Sequence, residues 1–192
     1  MFINISPMRK LSYVLILAVA SAVAYLWQQG SLLPRGATGQ LPNNAWQVFF
    51  SPKGGCTDAV VAQLQRAKSS IHVQAYSFTS APIAAALVDA HRRGVKVSVI
   101  LDKSQRTEKY SEADFLAHAG VPTFIDAKHA ISHNKVMVID EQVVITGSFN
   151  FTKSAEEKNA ENLLIIRDPD VAKRYTVNWQ DHERHSDTYN GK

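Results

Sequence analysis

From Ala45 onward the sequence alternates between short apolar segments and segments with helical periodicity, and this alternation restricts the chain to a few folds. The strand-like segments are 46–51, 71–78, 95–101 and 121–125, and the helix-like segments are about 57–68, 80–93 and 108–119. Gly94 and Gly120 follow the second and third of these helices, where a glycine commonly ends a helix. Helices that alternate with short apolar strands predict an α/β fold in which helices cover both faces of a sheet.

After residue 130 the pattern changes. Ser132–Ile139 and Val143–Gly147 are apolar segments joined by a short polar turn, which predicts an antiparallel hairpin. A capped helix over Thr152–Ala160, a strand over Asn162–Arg167 and a closing helix over Pro169–His185 complete the chain. The central sheet is therefore expected to be mixed. The sequence contains no internal repeat of useful length.

The N-terminal segment differs in composition from the rest of the chain. Residues 1–34 contain no acidic side chain, and Arg9 and Lys10 precede an apolar run from Leu11 to Trp27. This pattern, ending in small residues at 22–24, is typical of a cleaved secretory signal peptide. The run of 17 residues is also at the short limit of a spanning helix, so an uncleaved inner-membrane anchor is the alternative for residues 1–24. Either way we expect a periplasmic, secreted or membrane-anchored domain at 45–192, preceded by a glycine- and proline-containing linker at 25–44.

Composition excludes some kinds of site without identifying a partner. The chain has 21 basic and 17 acidic residues, and removing residues 1–24 leaves 19 basic residues against 17 acidic ones, a net charge of +2. This charge is too small to indicate a nucleic-acid partner by itself. The single cysteine, Cys56, excludes an internal disulfide and a zinc site built from several cysteines of one chain. His182 and His185 lie three apart on the closing helix, but no third ligand is apparent, so we expect a surface pair and no metal site.

His133 and Lys135 are the first candidates for chemistry. They lie two residues apart on a predicted strand, so their side chains face the same way. An imidazole beside an ammonium suits a phosphate, because the imidazole can attack or transfer a proton while the ammonium neutralises oxygen charge. Asp140 is an odd number of residues from both, and on a regular strand it therefore points away from them. We expect Asp140 to support the turn and not to transfer protons.

The returning strand brings further polar side chains to this pair. With the turn centred on residues 141 and 142, His133 lies opposite residue 149 or 150. Ser148 and Asn150 then lie beside His133, and their hydroxyl and amide groups are good donors to phosphate oxygens. Glu161 follows the next helix, and a carboxylate hydrogen-bonded to the imidazole would fix its orientation.

The ordered pattern His-x-Lys-x4-Asp, Gly-Ser-x-Asn and Glu-Asn resembles the signature of the phospholipase D superfamily, in particular its small single-motif bacterial endonucleases of the Nuc type. The resemblance covers about residues 45–185, and no motif position departs from it. It implies an α-β-α sandwich with a mixed central sheet, a covalent phosphohistidine intermediate, no cofactor and no metal requirement. The residues that it assigns to the site are His133, Lys135, Asp140, Ser148, Asn150 and Glu161.

One motif supplies half of the groups that the reaction requires. Phosphoryl transfer through histidine needs an attacking imidazole and an acid that protonates the departing oxygen. Since the chain has no repeat, the simplest second histidine is His133 of a two-fold-related copy. We therefore expect a homodimer with a composite active site.

The sequence determines the substrate less closely. We assign substrate binding to Lys135, Ser148 and Asn150, together with the basic residues Lys103, Arg106 and Lys153, which could follow a nucleic-acid backbone. The prediction is a metal-independent, non-specific endonuclease that hydrolyses DNA or RNA. A phospholipase D-type phospholipid hydrolase and a non-catalytic nucleic-acid-binding module are the alternatives. A membrane is an expected partner only if the N-terminal segment is uncleaved.

Overall fold

The structure, a computed structural model, describes residues 45–192. The expectations for residues 1–24 and 25–44 lie outside the described residues. Within 45–192, none of the helices combines the length and the apolar character needed to cross a bilayer.

Residues 45–192 form one sheet with helices on both faces. The strands are β1 (Trp46–Ser51), β2 (Ser70–Ala75), β3 (Lys96–Asp102), β4 (Thr123–Asp126), β5 (Lys135–Ile139), β6 (Val143–Gly147), β7 (Glu161–Arg167) and β8 (Asp187–Thr188). The helices are α1 (Cys56–Arg66), α2 (Ala81–Arg92), α3 (Ala113–His118), α4 (Lys153–Glu157) and α5 (Pro169–Glu183), with a 3-10 turn at Lys103–Arg106.

The sheet order is β1-β7-β6-β5-β2-β3-β4-β8. Strands β2, β3 and β4 pair in parallel, whereas all other neighbours are antiparallel, so the prediction of a mixed sheet is confirmed. Ala75 at the end of β2 pairs with Lys135 at the start of β5, and Gly147 at the end of β6 pairs with Leu163 near the start of β7. The C-terminal ends of the parallel strands therefore lie at the same edge of the sheet as the motif residues.

Two apolar layers hold the helices against the sheet. Helices α1, α2 and α3 share one buried cluster with Met137 and Ile139 of β5. The alternating residues Val136 and Val138 pack on the other face, against α5. The indole Nε1 of Trp179 in α5 donates to the Val73 carbonyl at 2.8 Å, which attaches this helix to β2. This arrangement confirms the predicted α-β-α sandwich.

The third helix and the last strand differ from the predictions. The third helix begins at Ala113 and not near residue 108, because the backbone N–H of Glu112 donates to the Phe78 carbonyl at 3.0 Å instead of continuing a helix upstream. The short strand β8 was not predicted, because two residues carry no periodicity that a sequence pattern could show.

The single cysteine lies at the first position of α1. Cys56 is fully buried and free, and burial, with a smaller contribution from the charge of Glu156, raises the pKa of its thiol to about 11. The Glu156 carboxylate accepts hydrogen bonds from the backbone N–H groups of Gly55 (3.1 Å) and Thr57 (2.7 Å). An acidic side chain from α4 thus satisfies the start of α1.

Candidate active site

Most of the motif residues meet in one cleft at the edge of the sheet. The cleft is open, has a volume of about 380 Å³ and is lined by His133, Lys135, Gly147, Ser148, Asn150 and Glu161. It lies where β5 and β7 begin and β6 ends. Of the six predicted motif residues, Asp140 alone lies outside this lining.

The hairpin register brings the two halves of the motif together. Ile139 pairs with Val143, which centres the turn on Glu141, half a residue from the predicted centre. The pairing between β5 and β6 extends only to Met137 and Ile145, so the two arms of the hairpin separate beyond this pair. His133 consequently precedes β5 instead of lying within it, and the separated ends of the hairpin form the walls of the cleft.

Lys135 lies beneath the exposed imidazole of His133. Its Nζ is 3.1 Å from His133 Nδ1 and donates to the His133 carbonyl at 2.8 Å. Lys135 is only 7% exposed, and this burial lowers the pKa of its ammonium, while the charge of Glu161 acts in the opposite direction. A poorly hydrated ammonium at the base of an open cleft attracts an anionic oxygen more strongly than a solvated one.

Tyr76 is a site residue that sequence reasoning missed. Its ring centroid is 4.5 Å from that of His133, and Lys135 Nζ lies 5.0 Å from the same ring centroid. The predicted strand 71–78 ends at Ala75, and the Tyr76 backbone N–H donates to the Asn134 carbonyl at 2.8 Å, one residue further along the register that pairs β2 with β5. Only the antiparallel pairing of β2 with β5 places Tyr76 here, and a local pattern does not show that pairing.

Ser148 is positioned by a close approach of β6 to β7. Gly147 has φ +144°, and a Cβ on this residue would overlap the carbonyl oxygen of Asn162. That carbonyl accepts hydrogen bonds from the backbone N–H groups of Ser148 (3.1 Å) and Phe149 (3.2 Å). The Ser148 Oγ in turn accepts from the backbone N–H of Asn162 at 3.1 Å, so its own hydroxyl proton can be donated to a ligand.

Asn150 and Glu161 complete the lining in different ways. The Oδ1 of Asn150 is buried and has no hydrogen-bond partner among residues 45–192. The carboxylate of Glu161 accepts from Asn159 Nδ2 at 3.1 Å, and within the described part of the chain no hydrogen bond joins it to His133. In a single chain, Glu161 therefore acts on Lys135 through its charge and does not orient the imidazole.

Asp140 lies at the turn, outside the cleft. Its carboxylate accepts hydrogen bonds of 2.7–3.1 Å from the backbone N–H groups of Lys68, Ser69 and Ser70 and from the Ser69 hydroxyl. Burial alone would raise the pKa of Asp140, but the hydrogen bonds from Ser69 and Ser70 outweigh it and the pKa is lowered. Asp140 thus ties the β5–β6 turn to the segment before β2.

The basic residues predicted to bind substrate are not brought into the cleft. Lys103 Nζ donates to the His129 carbonyl at 3.0 Å, and Arg106 forms an ion pair with Asp187 at 2.8 Å. Lys153 forms an exposed pair with Glu157 at 3.6 Å.

A second group of titratable side chains contains His182 and His185. The expectation that no third ligand lies nearby was wrong, because Asp126 and His129 join the two histidines. The end of α5 packs beside the end of β4, which the sequence pattern does not indicate. The local signal that was overlooked is the Asp-x-x-His spacing directly after a strand.

Comparisons with known proteins point to one family. The family model for the cardiolipin synthase, phospholipase D-like domain matches residues 60–182. A protein named phospholipase D from Rickettsia felis is 46% identical over 130 residues, which are 68% of this chain and 65% of that protein. A mitochondrial cardiolipin hydrolase from Xenopus laevis is 37% identical over 116 residues, covering 60% of this chain and 55% of the relative. The chain thus spans less than two thirds of the length of these two relatives.

Solved structures show the same fold over nearly their whole length. The phospholipase D family member Nuc from Salmonella typhimurium has a TM-score of 0.73 and 40% sequence identity, covering 76% of this chain and 98% of that one. NucT from Helicobacter pylori has a TM-score of 0.69 and 26% identity, covering 75% of this chain and 98% of the other.

Proposed function

The chain belongs to the phospholipase D superfamily, whose members are phosphodiesterases, and we propose that the phosphodiester it hydrolyses is that of a nucleic acid. The observation that carries this proposal is the lining of the cleft. The described residues that line it are polar, charged or glycine, and none of them is aliphatic, so the lining offers no aliphatic wall for an acyl chain; the Tyr76 ring lies against His133 and Lys135. The likeness to Nuc and NucT over almost the entire length of those chains supports the same substrate class.

The residues of the cleft have distinct proposed roles. The exposed imidazole of His133 attacks phosphorus, so that a P–N bond forms while the P–O bond to the leaving group breaks. Lys135, Ser148 and Asn150 hold the non-bridging oxygens as charge develops on them. An acid protonates the leaving oxygen. Water then attacks phosphorus and breaks the P–N bond, which restores the imidazole.

We propose that the acid is His133 of a second copy, so that the working site is shared by a homodimer. One chain places one imidazole in the cleft, and the cleft is open. Strand β1 carries an apolar strip, formed by Trp46 (57% exposed), Val48 (39%) and Phe50 (64%). Phe50 pairs across the strands with Asn162, the residue that holds Ser148, so the strip continues from the cleft wall. A second copy seated on this strip would lie beside the cleft.

Sedimentation combined with activity measurements tests the dimer. The variant Phe50→Ser should weaken association and lower activity per chain, and activity should recover as protein concentration rises. A chain that is monomeric and fully active at the same dilution would refute the shared site. A wild type that stays monomeric but binds vesicles through the strip would instead assign the strip to a membrane.

The substrate is tested by incubating purified protein with plasmid DNA, RNA and phosphatidylcholine vesicles, each with and without EDTA. We expect cleavage of nucleic acid in both conditions and no release of choline. The variant His133→Ala should abolish turnover, whereas His91→Gln, on the distant helix α2, serves as the matched histidine control. Nucleic-acid binding without cleavage by the wild type would favour the non-catalytic binding module.

Phospholipid hydrolysis is the second candidate, and two observations favour it. The Rickettsia relatives carry the name phospholipase D, and the exposed aromatic residues Trp46 and Phe50 could contact a bilayer surface. Hydrolysis of vesicle lipid that depends on both His133 and the apolar strip, with DNA and RNA left intact, would select this function.

A further inference from the structure

We propose that Asp126, His129, His182 and His185 form a binding site for a divalent transition metal, with zinc as the expected ion. We call these four residues the His/Asp cluster. Asp126 ends β4, His129 lies in the loop that leads to β5, and the other two lie at the end of α5 and just beyond it. None of them lines the cleft, so this site is separate from the one described above.

The ligand atoms lie close to the separations that a metal requires. One nitrogen or oxygen from each residue can be chosen so that all four lie within 4.8 Å of one another. Asp126 Oδ2 is 2.7 Å from His182 Nδ1 and 3.0 Å from His129 Nδ1, and Asp126 Oδ1 is 3.4 Å from His185 Nε2. A tetrahedral zinc ion with bonds of about 2.0–2.1 Å has its ligand atoms roughly 3.3 Å apart. Small side-chain movements would therefore admit the ion.

Burial makes this cluster unlike a group of solvated surface histidines. The Asp126 side chain is 0% exposed, those of His182 and His185 are 14% and 22% exposed, and that of His129, at the outer side of the cluster, is 43% exposed. The Asp126 carboxylate lies within hydrogen-bond distance of the Nδ1 atoms of both His182 and His129. Its negative charge is thus surrounded by three imidazoles within the fold.

One nitrogen of the cluster gives an independent indication of a ligand. The Nε2 of His185 is buried, faces the carboxylate and has no hydrogen bond among residues 45–192. A buried polar nitrogen without a hydrogen bond costs free energy unless something binds it. A metal ion between His185 and Asp126 would satisfy this nitrogen.

The donor set indicates both the class of metal and its role. Three imidazole nitrogens and one carboxylate oxygen suit zinc and neighbouring transition metals, whereas calcium and magnesium prefer oxygen ligands only. Four protein ligands would occupy all coordination positions of a tetrahedral ion and leave none open, which is typical of a structural metal site. The backbone N–H of Lys128 donates to Asp126 Oδ1 at 3.1 Å. This hydrogen bond would hold the Asp126 carboxylate in position as a metal ligand.

Such an ion would join three elements near the catalytic edge of the sheet. It would tie the end of β4 to the end of α5 and hold the loop that carries His129. His133 follows in the same loop, and the backbone N–H of Ser132 is already fixed to Asp102 Oδ2 at 2.7 Å. The expected role of the metal is therefore to stabilise the fold and this loop, with no part in the chemistry of the cleft.

Metal content and thermal unfolding of the untagged full chain test the proposal. We expect one zinc per chain by elemental analysis. After stripping with EDTA and dialysis, adding zinc at a hundredfold excess over its dissociation constant should raise the midpoint of unfolding by roughly 5–10 °C. Cobalt in place of zinc should give the visible absorption of a tetrahedral complex.

The matched variants are His182→Gln and His185→Gln against His91→Gln. The first two should lose stoichiometric zinc and the zinc-dependent rise in melting temperature, whereas His91→Gln should keep both. Failure of the wild type to bind zinc or cobalt at micromolar concentration would overturn the site, as would zinc binding that both cluster variants retain. These measurements do not depend on catalysis, so they test the metal site independently of the proposed function.

Discussion

Asp140 belongs to the sequence motif of the cleft, yet its carboxylate lies outside it, and replacing it therefore separates folding from chemistry. We expect Asp140→Ala to destabilise the protein and to leave turnover nearly unchanged at a temperature where the variant is folded. The stability of Asp140→Asn should lie between that of Asp140→Ala and that of the wild type. Asparagine retains one acceptor oxygen and tolerates the left-handed backbone at this position, where φ is +55°.

The hydrogen bonds of the carboxylate set the size of the effect. Three backbone N–H groups and the Ser69 hydroxyl lose their acceptor in Asp140→Ala. A hydrogen bond to a charged group contributes about 1.5–3 kcal/mol when buried, but these donors lie near the surface and can bind water instead. We therefore expect a total loss of about 2–4 kcal/mol, which corresponds to a fall in melting temperature of roughly 5–15 °C.

The pH dependence has a definite sign. The pKa of Asp140 is lowered in the folded state. Ionisation of this carboxyl therefore stabilises the fold at any pH above the ordinary pKa of 3.8. That contribution is lost as the pH falls through the folded-state pKa. The difference in stability between the wild type and Asp140→Asn should thus be largest near neutral pH and shrink as the pH drops below about 4.

Urea unfolding at several pH values, together with hydrolysis of bis(p-nitrophenyl) phosphate, measures both quantities. Turnover of both Asp140 variants should stay within about threefold of the wild type, since the chemical groups of the cleft are unchanged. A fall of roughly a hundredfold at unchanged stability would refute the reasoning and place Asp140 in the chemistry.

Three further substitutions test the cleft, each by melting temperature and phosphodiester hydrolysis. Lys135→Met should lower turnover roughly a hundredfold or more, because the charge that holds the phosphate oxygens is lost. Its melting temperature should stay equal or rise, because a buried ammonium destabilises the fold. An active but destabilised variant would contradict this expectation. Gly147→Ala should destabilise the protein by about 2 kcal/mol or more, because the new Cβ would overlap Asn162. Gly94→Ala, at φ +89° with open space around it, should cost only about 1–2 kcal/mol. Equal losses of stability in the two variants would refute the steric argument. Tyr76→Leu should reduce turnover more than stability, because the ring that faces the imidazole and the ammonium is lost, and unchanged turnover would exclude that role.

The parts of the site that were predicted from the sequence depend on local geometry. The register that the tight turn sets brings His133, Lys135, Ser148 and Asn150 to one cleft, although of these four only Lys135 lies within a strand. The alternation of side chains along a strand placed Asp140 away from the cleft.

The parts that were missed depend on the order of strands that are distant in sequence. Tyr76 reaches the cleft only because β2 and β5 are neighbours in the sheet. Asp126 and His182 meet only because α5 ends beside β4. Neither adjacency leaves a periodic signal, because each depends on the strand order that the whole chain adopts.

The burial of Cys56 has a consequence for how two copies can be joined. With a pKa of about 11, only about one thiol in 10⁴ is a thiolate at pH 7, and the sulfur is enclosed at the start of α1. As the chain has one cysteine, an intermolecular disulfide would have to join Cys56 of one copy to Cys56 of the other, and the burial of both sulfurs opposes this bond. The homodimer that we propose would therefore be held by non-covalent contacts, even in an oxidising compartment, and should separate on a denaturing gel run without reductant.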